Sequence, residues 1–444
     1  MRATGKEIAR RIFRQTLASI DIAQVMARKL PREGSRLILP DAAVDLSQFE
    51  KVYVVAIGKA AQAMVAGLND ILPSETRASG IVVAPVAPEQ GLQGMAYFVG
   101  GHPIPNAESW KSAEAILRLL ESCDKRTLVI FLLSGGGSAL VELPLHGELK
   151  LEDVQAMHRA LVTCGAPIEA MNTVRKHLSA VKGGRLATAA GAARKITLAV
   201  SDVPAGKESA LASGPTLPDP STTADVERIV EQYHLRERFP SRLVRWLEAG
   251  KMPETPKAGD PAFANAHFHL LLDMDDLFHA AHHAAEALGY TTCCDNSTDD
   301  WPVAKAGDAL LLRLEEWQRM NAGKPVAIIA DGELSSPVKG KGVGGRNSAF
   351  VLDVAGKIAG QRITVLSAGT DGIDGNSPAA GAVADGETLK RARAAGLDPA
   401  EAFRESDAYT FFARLGDAIV TGPTGNNLRD LRILLAEEWR RPEA

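Results

Sequence analysis

The sequence predicts an α/β protein built from two domains with buried, mostly parallel sheets. Three observations carry this. At 444 residues the chain is too long for one ordinary core. Short runs of Val, Ile and Leu recur without polar alternation, as strands buried on both faces do. Each run is followed by a small-residue turn and then a helical pattern, the grammar of a covered parallel sheet.

Taken in order, Ile8, Ile12, Leu17 and Ile20 lie near helical spacing beside Arg10, Arg11 and Arg14, which predicts an amphipathic first helix. A transit peptide is also amphipathic and Arg-rich, but Glu7 and Asp21 argue against one. The strand-like runs are "VYVVAIGKAAQAM" (52–64), "GIVVAP" (80–85), "TLVIFLLSGGGSAL" (127–140), "ITLAVSDVP" (196–204), "PVAIIADGE" (325–333) and "ITVLSAGTDGIDG" (363–375). The Pro- and charge-rich stretch 236–262 suggests a boundary near 255, giving domains 1–255 and 256–444. Helices are expected over 275–288 and 303–320, and at the C-terminus, where "NNLRDLRILLAEEWRRPEA" reads as a helix begun by an Asn cap.

Bulk composition narrows the function. Hydrophobic residues make up 45% and charged residues 23%, which excludes disorder. Fifty basic and 54 acidic residues give a net charge of −4 without any long basic block, so a nucleic-acid partner has no electrostatic support. Cys123, Cys164, Cys293 and Cys294 form no CxxC pair, which suits reduced thiols in the cytoplasm. No signal peptide is visible and no apolar run approaches membrane-spanning length, so no membrane partner is expected.

The candidate chemistry sits at strand ends, where parallel sheets place ligands. Ser134, Gly135, Gly136, Gly137 and Ser138 follow the most apolar run. Neither Gly-x-Ser-x-Gly nor a Walker loop is present, and Leu140 stands where a dinucleotide fingerprint needs its third glycine. The remaining readings are a phosphate cradle of backbone N–H groups, aided by a helix starting near Ser138, and a plain strand–helix turn. Lys59 stands at the start of a helix, where a cation opposes the helix dipole unless an anion joins it. In "NTVRKHLSAVKGGRLA" (172–187), positions 175, 178, 182 and 185 recur along one helical side. Of the basic residues Arg175, Lys176, His177, Lys182 and Arg185, part therefore forms either a basic stripe for an acidic substrate or a solvated face.

Asp202 after a strand is either a proton-accepting or metal-binding carboxylate, or a cap. Glu333 and the pair Arg346-Asn347 bracket another glycine-rich loop, in which Arg346 has room to fork onto a carboxylate or phosphate. Asp371 and Asp374 lie three apart among glycines, a spacing shared by cation loops and ordinary turns. "TGPTGNNLRDL" (421–431) reads as an anion-binding turn entering a helix. His279, His282 and His283 share a helix face without a further ligand motif, so they read as an amphipathic face.

Together these strings resemble one family. "SGGGSAL", "NTVRKHLSAVKGGRLA", "SDVP…ASGPTLPD", "GKGVGGRN", "AGTDGIDG" and "TGPTGNN" occur in this order, as in the bacterial and animal glycerate 2-kinases of the MOFRL type, whose members often carry the label hydroxypyruvate reductase. The resemblance implies a Rossmann-like N-terminal domain, a smaller C-terminal α/β domain and an active cleft between them. It implies ATP- and Mg²⁺-dependent phosphorylation of the 2-hydroxyl of D-glycerate. Lys59 and Arg346 match the family's facing basic residues. The sequence departs at Ala205-Gly206-Lys207-Glu208 and at Ser348-Ala349, where the family has further polar or acidic residues.

On this reading residues 134–138 hold the ATP phosphates, and Lys59 neutralises the transferred group. Arg346 and Asn347, with Arg175, Lys176 or Lys182, bind glycerate. Asp202 accepts the proton or ligates metal, with Glu333 and Asp371 as further metal ligands. A homodimer is the expected assembly. The rival reading, an NAD(P)H-dependent hydroxypyruvate reductase, calls for a strict nucleotide fingerprint and a His acid, neither of which stands out. A non-catalytic sensor of a sugar acid or phosphate would leave the strand-end acids idle.

Overall fold

The computed structural model describes residues 3–204 and 206–437. Ala205, one of the departures noted above, and 438–444 of the expected terminal helix lie outside these residues. Packing divides the chain into two compact units: Ile22–Asp273, and a second formed by the chain up to Asp21 with the chain from Met274 onward.

The Ile22–Asp273 unit is built on six parallel strands: β1 (Lys51–Ile57), β2 (Ala78–Ala84), β3 (Met95–Val99), β4 (Thr127–Ser134), β5 (Arg194–Val200) and β6 (Ala266–Leu272). Their order is β3-β2-β1-β4-β5-β6. This is the doubly wound arrangement, and its switch point lies between β1 and β4. All eight residues of β4 are buried, as its unbroken apolar run predicts. Val129, Phe131 and Leu133 on one face pack with Ile116 and Leu120 of the Ala107–Glu121 helix. A second cluster under the unit joins Val154, Leu161, Val226 and Trp246.

The boundary expected at 255 falls inside this unit. β6 comes after it in the chain and pairs with β5, so the unit closes at Asp273. The charged stretch that suggested a linker contains the Ser241–Glu248 helix, whose Leu243, Trp246 and Leu247 are buried. Its charges occupy one side of the helix and its apolar residues the other, and composition averages over the two.

The second unit carries β7 (Thr291–Asp295), β8 (Val326–Asp331), β9 (Ile363–Gly369), β10 (Gly381–Asp385), β11 (Ala418–Ile419) and β12 (Asp430–Ala436). Their order is β7-β8-β12-β9-β10-β11, and only β7 and β8 pair in parallel. The sheet is therefore mixed, where its apolar strands suggested a parallel one. Among the described residues, the C-terminal segment is also not a helix. β12 runs antiparallel between β8 and β9 with all seven residues buried. An apolar run of this length fits helix and strand equally, and only the two open strand edges decide between them.

The first helix, Gly5–Ser19, forms as expected and begins on a Thr4/Glu7 capping box. It buries Ala9, Ile12 and Phe13 and belongs to the second unit, not the first. The Met274–Glu286 and Val303–Met320 helices match their expected spans. No helix among the described residues is long and apolar enough to cross a membrane. Because β12 is the centre of its sheet, Leu434→Ala, at a fully buried position, should destabilise the protein by about 2–5 kcal/mol in urea denaturation.

Candidate active site

In the first unit, β1 and β4 end against each other. Gly58 has φ of +132°, and a Cβ there would stand 2.1 Å from Ser134 Oγ, so no side chain fits. Lys59 N–H donates to Gly135 O at 3.0 Å, and Ala60 N–H to Ser134 Oγ at 3.0 Å. Ser134 is fully buried and ties the two strand ends together. Its place is beneath the loop.

The loop then turns through Gly136 at φ +83°. The carbonyls of Gly135, Gly136 and Gly137 accept from Lys59, Ala139 and Val141. In a trans peptide the N–H points opposite to the C=O. The N–H groups of Gly136, Gly137 and Ser138 are thus directed away from those bonded carbonyls. The helix that follows spans only Gly137–Leu140, so a macrodipole adds little, contrary to expectation. The candidate anion donors are the three N–H groups and Lys59, whose Cγ stands 3.4 Å from where a Gly136 Cβ would be. His102 flanks the same point, its Cδ2 at 3.2 Å. Desolvation, with the Lys59 charge adding to it, holds His102 below the usual imidazole range.

Ser138 is linked onward. Its Oγ lies 2.9 Å from Ser213 Oγ, which donates to Asn172 Oδ1 at 3.4 Å, and Arg175 Nη1 donates to the same oxygen at 3.4 Å. Ala212 and Ser213 both hold left-handed backbone, φ +49° and +61°, a conformation that non-glycine residues keep only under constraint. Asp202 follows β5 by two residues, and Val200 of β5 is the register partner of Ser134, so Asp202 shares the carboxyl edge.

The basic stripe does not form. The Ile168–Leu178 helix ends before Lys182 and Arg185. Lys182 is 1% exposed and donates to Glu142 Oε2 at 2.6 Å and Val141 O at 3.3 Å. Glu142 also accepts from Ser179 Oγ at 2.6 Å and meets His158 Nε2 at 3.1 Å. Lys176 is buried against Asp219 at 3.2 Å. Both lysines are engaged inside the fold, and Arg175 alone of the three reaches the Ser138 chain.

In the second unit, the ends of β8 and β9 share an edge with the start of the antiparallel β12, pairing Asp331 with Leu431 and Gly369 with Asp430. Arg346 opens the Arg346–Lys357 helix and forks onto Asp430 through Nε at 2.5 Å and Nη2 at 3.1 Å, with Glu333 at 3.0 Å from Nη2. Desolvation opposes its charge, but Asp430 and Glu333 hold the guanidinium firmly protonated. Asp371 lies close by: a Cβ at Gly369 would stand 3.0 Å from Asp371 Oδ1 and 3.4 Å from Asp430 Oδ1. Arg429 forks onto Asp299 at 2.6 and 2.8 Å, and the fully buried Arg432 donates to the carbonyls of Asp331 and Gly332.

Asn347 is buried, its Oδ1 accepting from Ser367 Oγ, which places it behind Arg346. Asp374 caps the same helix through Asn347 N, Ser348 N and Ser348 Oγ, so its carboxylate is committed to the helix start. The "TGPTGNN" turn enters β12 and not a helix. Beside Gly344 and Gly345 opens a cavity of about 240 Å³ walled by Pro302, Val303, Val338 and Phe403. The His279/His282/His283 face forms no metal cluster among the described residues.

Residues 8–248 match the family described as Domain of unknown function (DUF4147), and residues 326–430 match the MOFRL family. The chain is 34% identical to the D-glycerate 2-kinase of Thermotoga maritima, covering 92% of this chain and 97% of that protein. It is 36% identical to a putative hydroxypyruvate reductase of Agrobacterium vitis, covering 97% and 94%. A crystal structure of glycerate kinase from Thermotoga maritima matches with a TM-score of 0.83 at 33% identity, covering 97% of this chain and 99% of that one. The chain belongs to the MOFRL-type glycerate 2-kinase family.

Within that family framework, several site-building residues carry no sequence signal strong enough to single them out. His102, Asn172 and Ser213 come from three separate segments. Asp331 ends a strand, as Glu333 nearly does, and the strand-end rule that selects Glu333 could have found it. Asp430 lay in the segment read as a helix.

Two buried carboxylates should show opposite pH signatures. Burial alone would raise Glu142, but Lys182 and His158 lower it from 4.5 to about 2. Its stabilisation is complete above the unfolded value and is lost as pH falls through the folded one. Burial raises Asp331 from 3.8 to about 6, against Arg429 and Arg432. Its contribution is favourable below 3.8 and lost as pH rises through about 6. In denaturation measured across pH, Glu142→Gln should flatten the acid limb, and Asp331→Asn should raise stability above pH 6 relative to the parent.

Proposed function

We propose that this protein transfers the γ-phosphoryl group of ATP to the 2-hydroxyl of D-glycerate, giving 2-phosphoglycerate and ADP. The observation that carries this is the Gly136 loop: three N–H groups directed away from their bonded carbonyls, at a doubly wound switch point and beside Lys59. The family relatives named glycerate kinase give the reaction its direction.

Each group takes its role from its own surroundings. The N–H groups of Gly136, Gly137 and Ser138 hold phosphate oxygens, and the Lys59 ammonium offsets charge that grows on the transferred group. The neutral imidazole favoured at His102 leaves the local positive charge to Lys59. Asp202 accepts the proton of the 2-hydroxyl as the oxygen attacks phosphorus. Arg346 keeps its fork on the buried Asp430, while Glu333, 45% exposed, is the partner a substrate carboxylate displaces from Nη2.

The edge of the second sheet offers hard oxygen donors, the kind Mg²⁺ selects, and Asp371 and Glu333 are the residues proposed to hold it there. When bound, Mg²⁺ neutralises phosphate charge and orients the triphosphate. The four cysteines are free thiols, which supports a reducing, cytoplasmic setting.

The decisive experiment mixes purified protein with ATP, Mg²⁺ and D-glycerate and follows ADP release, with 2-phosphoglycerate detected by coupling to enolase. Lys59→Ala should lower kcat by about 10²–10³, and Arg346→Ala should chiefly raise KM for glycerate. Consumption of NADH with hydroxypyruvate, in the absence of any ATP turnover, would sink this reading in favour of the reductase.

A further inference from the structure

Away from both strand-end sites, three side chains converge at the outer edge of the first sheet. β6 is the last strand there and pairs only with β5. His267 and His269 are two residues apart on it and so point to one face. Their rings stack with centroids 6.2 Å apart and planes 12° from parallel. Asp41, between the extended segments Arg36–Ile38 and Ala43–Asp45, reaches both. Its Oδ2 lies 3.5 Å from His267 Nδ1 and its Oδ1 3.2 Å from His269 Nε2.

One ligand atom from each residue lies within 4.8 Å of the other two, the single such grouping of His, Cys, Asp and Glu among the described residues. A second observation is independent of that spacing. His269 is only 8% exposed, and its Nε2 is buried without a hydrogen-bond partner although it faces the Asp41 carboxylate. The two atoms are close enough for a hydrogen bond but not aligned for one. A buried ring nitrogen left in this state needs an explanation.

We infer that Asp41, His267 and His269 form a binding site for a divalent first-row transition ion of the zinc class. Two imidazole nitrogens and one carboxylate are the ligand types that Zn²⁺ takes. Bonds of about 2.0–2.2 Å in a tetrahedral site set ligand atoms about 3.3 Å apart, and each ring nitrogen already lies 3.2–3.5 Å from one of the two Asp41 oxygens. Asp41 is exposed, so turning one oxygen toward both rings displaces nothing in the core. Mg²⁺ selects oxygen-rich sites, so this site is separate from the magnesium proposed above. The fourth position is left to water. A bound ion would clip the 39–42 loop to β6.

The test uses the full-length protein, freed of metal by chelation and dialysis, titrated with Zn²⁺ by calorimetry and with Co²⁺ by visible absorption. One equivalent should bind, with a tetrahedral-type Co²⁺ spectrum. Saturating Zn²⁺ should raise Tm by about 5 °C. Asp41→Asn, a surface change that spares folding, and His269→Ala should each weaken Zn²⁺ binding at least about tenfold and remove the Tm shift. His282→Ala, on the other histidine-rich face, should bind as the parent does. The inference is overturned if micromolar Zn²⁺ does not bind, or if binding survives undiminished in Asp41→Asn and His269→Ala, whether or not His282→Ala loses it.

Discussion

The close approach of Gly58 to Ser134 is the constraint on which the first unit's site depends. Two adjacent parallel strands must end with their backbones in contact, and a Cβ at Gly58 would fall inside the Ser134 hydroxyl. The two hydrogen bonds made across that contact pull the Gly135 carbonyl toward Lys59 and the Ser134 hydroxyl toward Ala60. Peptide planarity then turns the following N–H outward. One packing contact thus sets both the donors of the loop and the place of the cation beside them.

The second unit solves a different problem, the gathering of five acids at one sheet edge. Asp299, Asp331, Glu333, Asp371 and Asp430 would repel one another if left alone, and Arg346, Arg429 and Arg432 are interleaved with them. The antiparallel course of β12 makes this possible, because its first residues arrive where β8 and β9 end. Planar guanidinium forks fit the task, since each satisfies two acceptors at once. Arg432, fully buried, is held by main-chain carbonyls, and the nearby Asp331 is the carboxylate left with a raised pKa.

Buried ion pairs also explain why charge patterns along the sequence mislead. Lys176 and Lys182 look like a substrate-facing stripe, yet each has an acid waiting in a distant segment: Asp219 is 43 residues from Lys176, and Glu142 is 40 from Lys182. Removing one partner of such a pair strands a charge in the interior, so these lysines are held by their acid partners. Arg175, on the same stretch, escapes that fate only because its helix directs it toward Asn172. Helical spacing groups Arg175 with Lys182, and the fold separates them.

By itself the sequence determined the parts that depend on local chemistry. Apolar runs specified β1, β2, β4 and β5 of the first sheet, and the strand-end glycines, Lys59, Asp202, Glu333 and Arg346 could be read as candidate site residues because turns and strand ends have their own residue types. The family strings were legible for the same reason. Tertiary structure alone decided whatever required two distant segments to meet. It placed the 430–436 run as a central strand, because only the edges of β8 and β9 make strand better than helix there. It assigned β6 to the first unit, buried Lys176 and Lys182, and carried Asp41 to His267 and His269. In each case the deciding energy lies in a contact across tens or hundreds of residues, where sequence spacing holds no information.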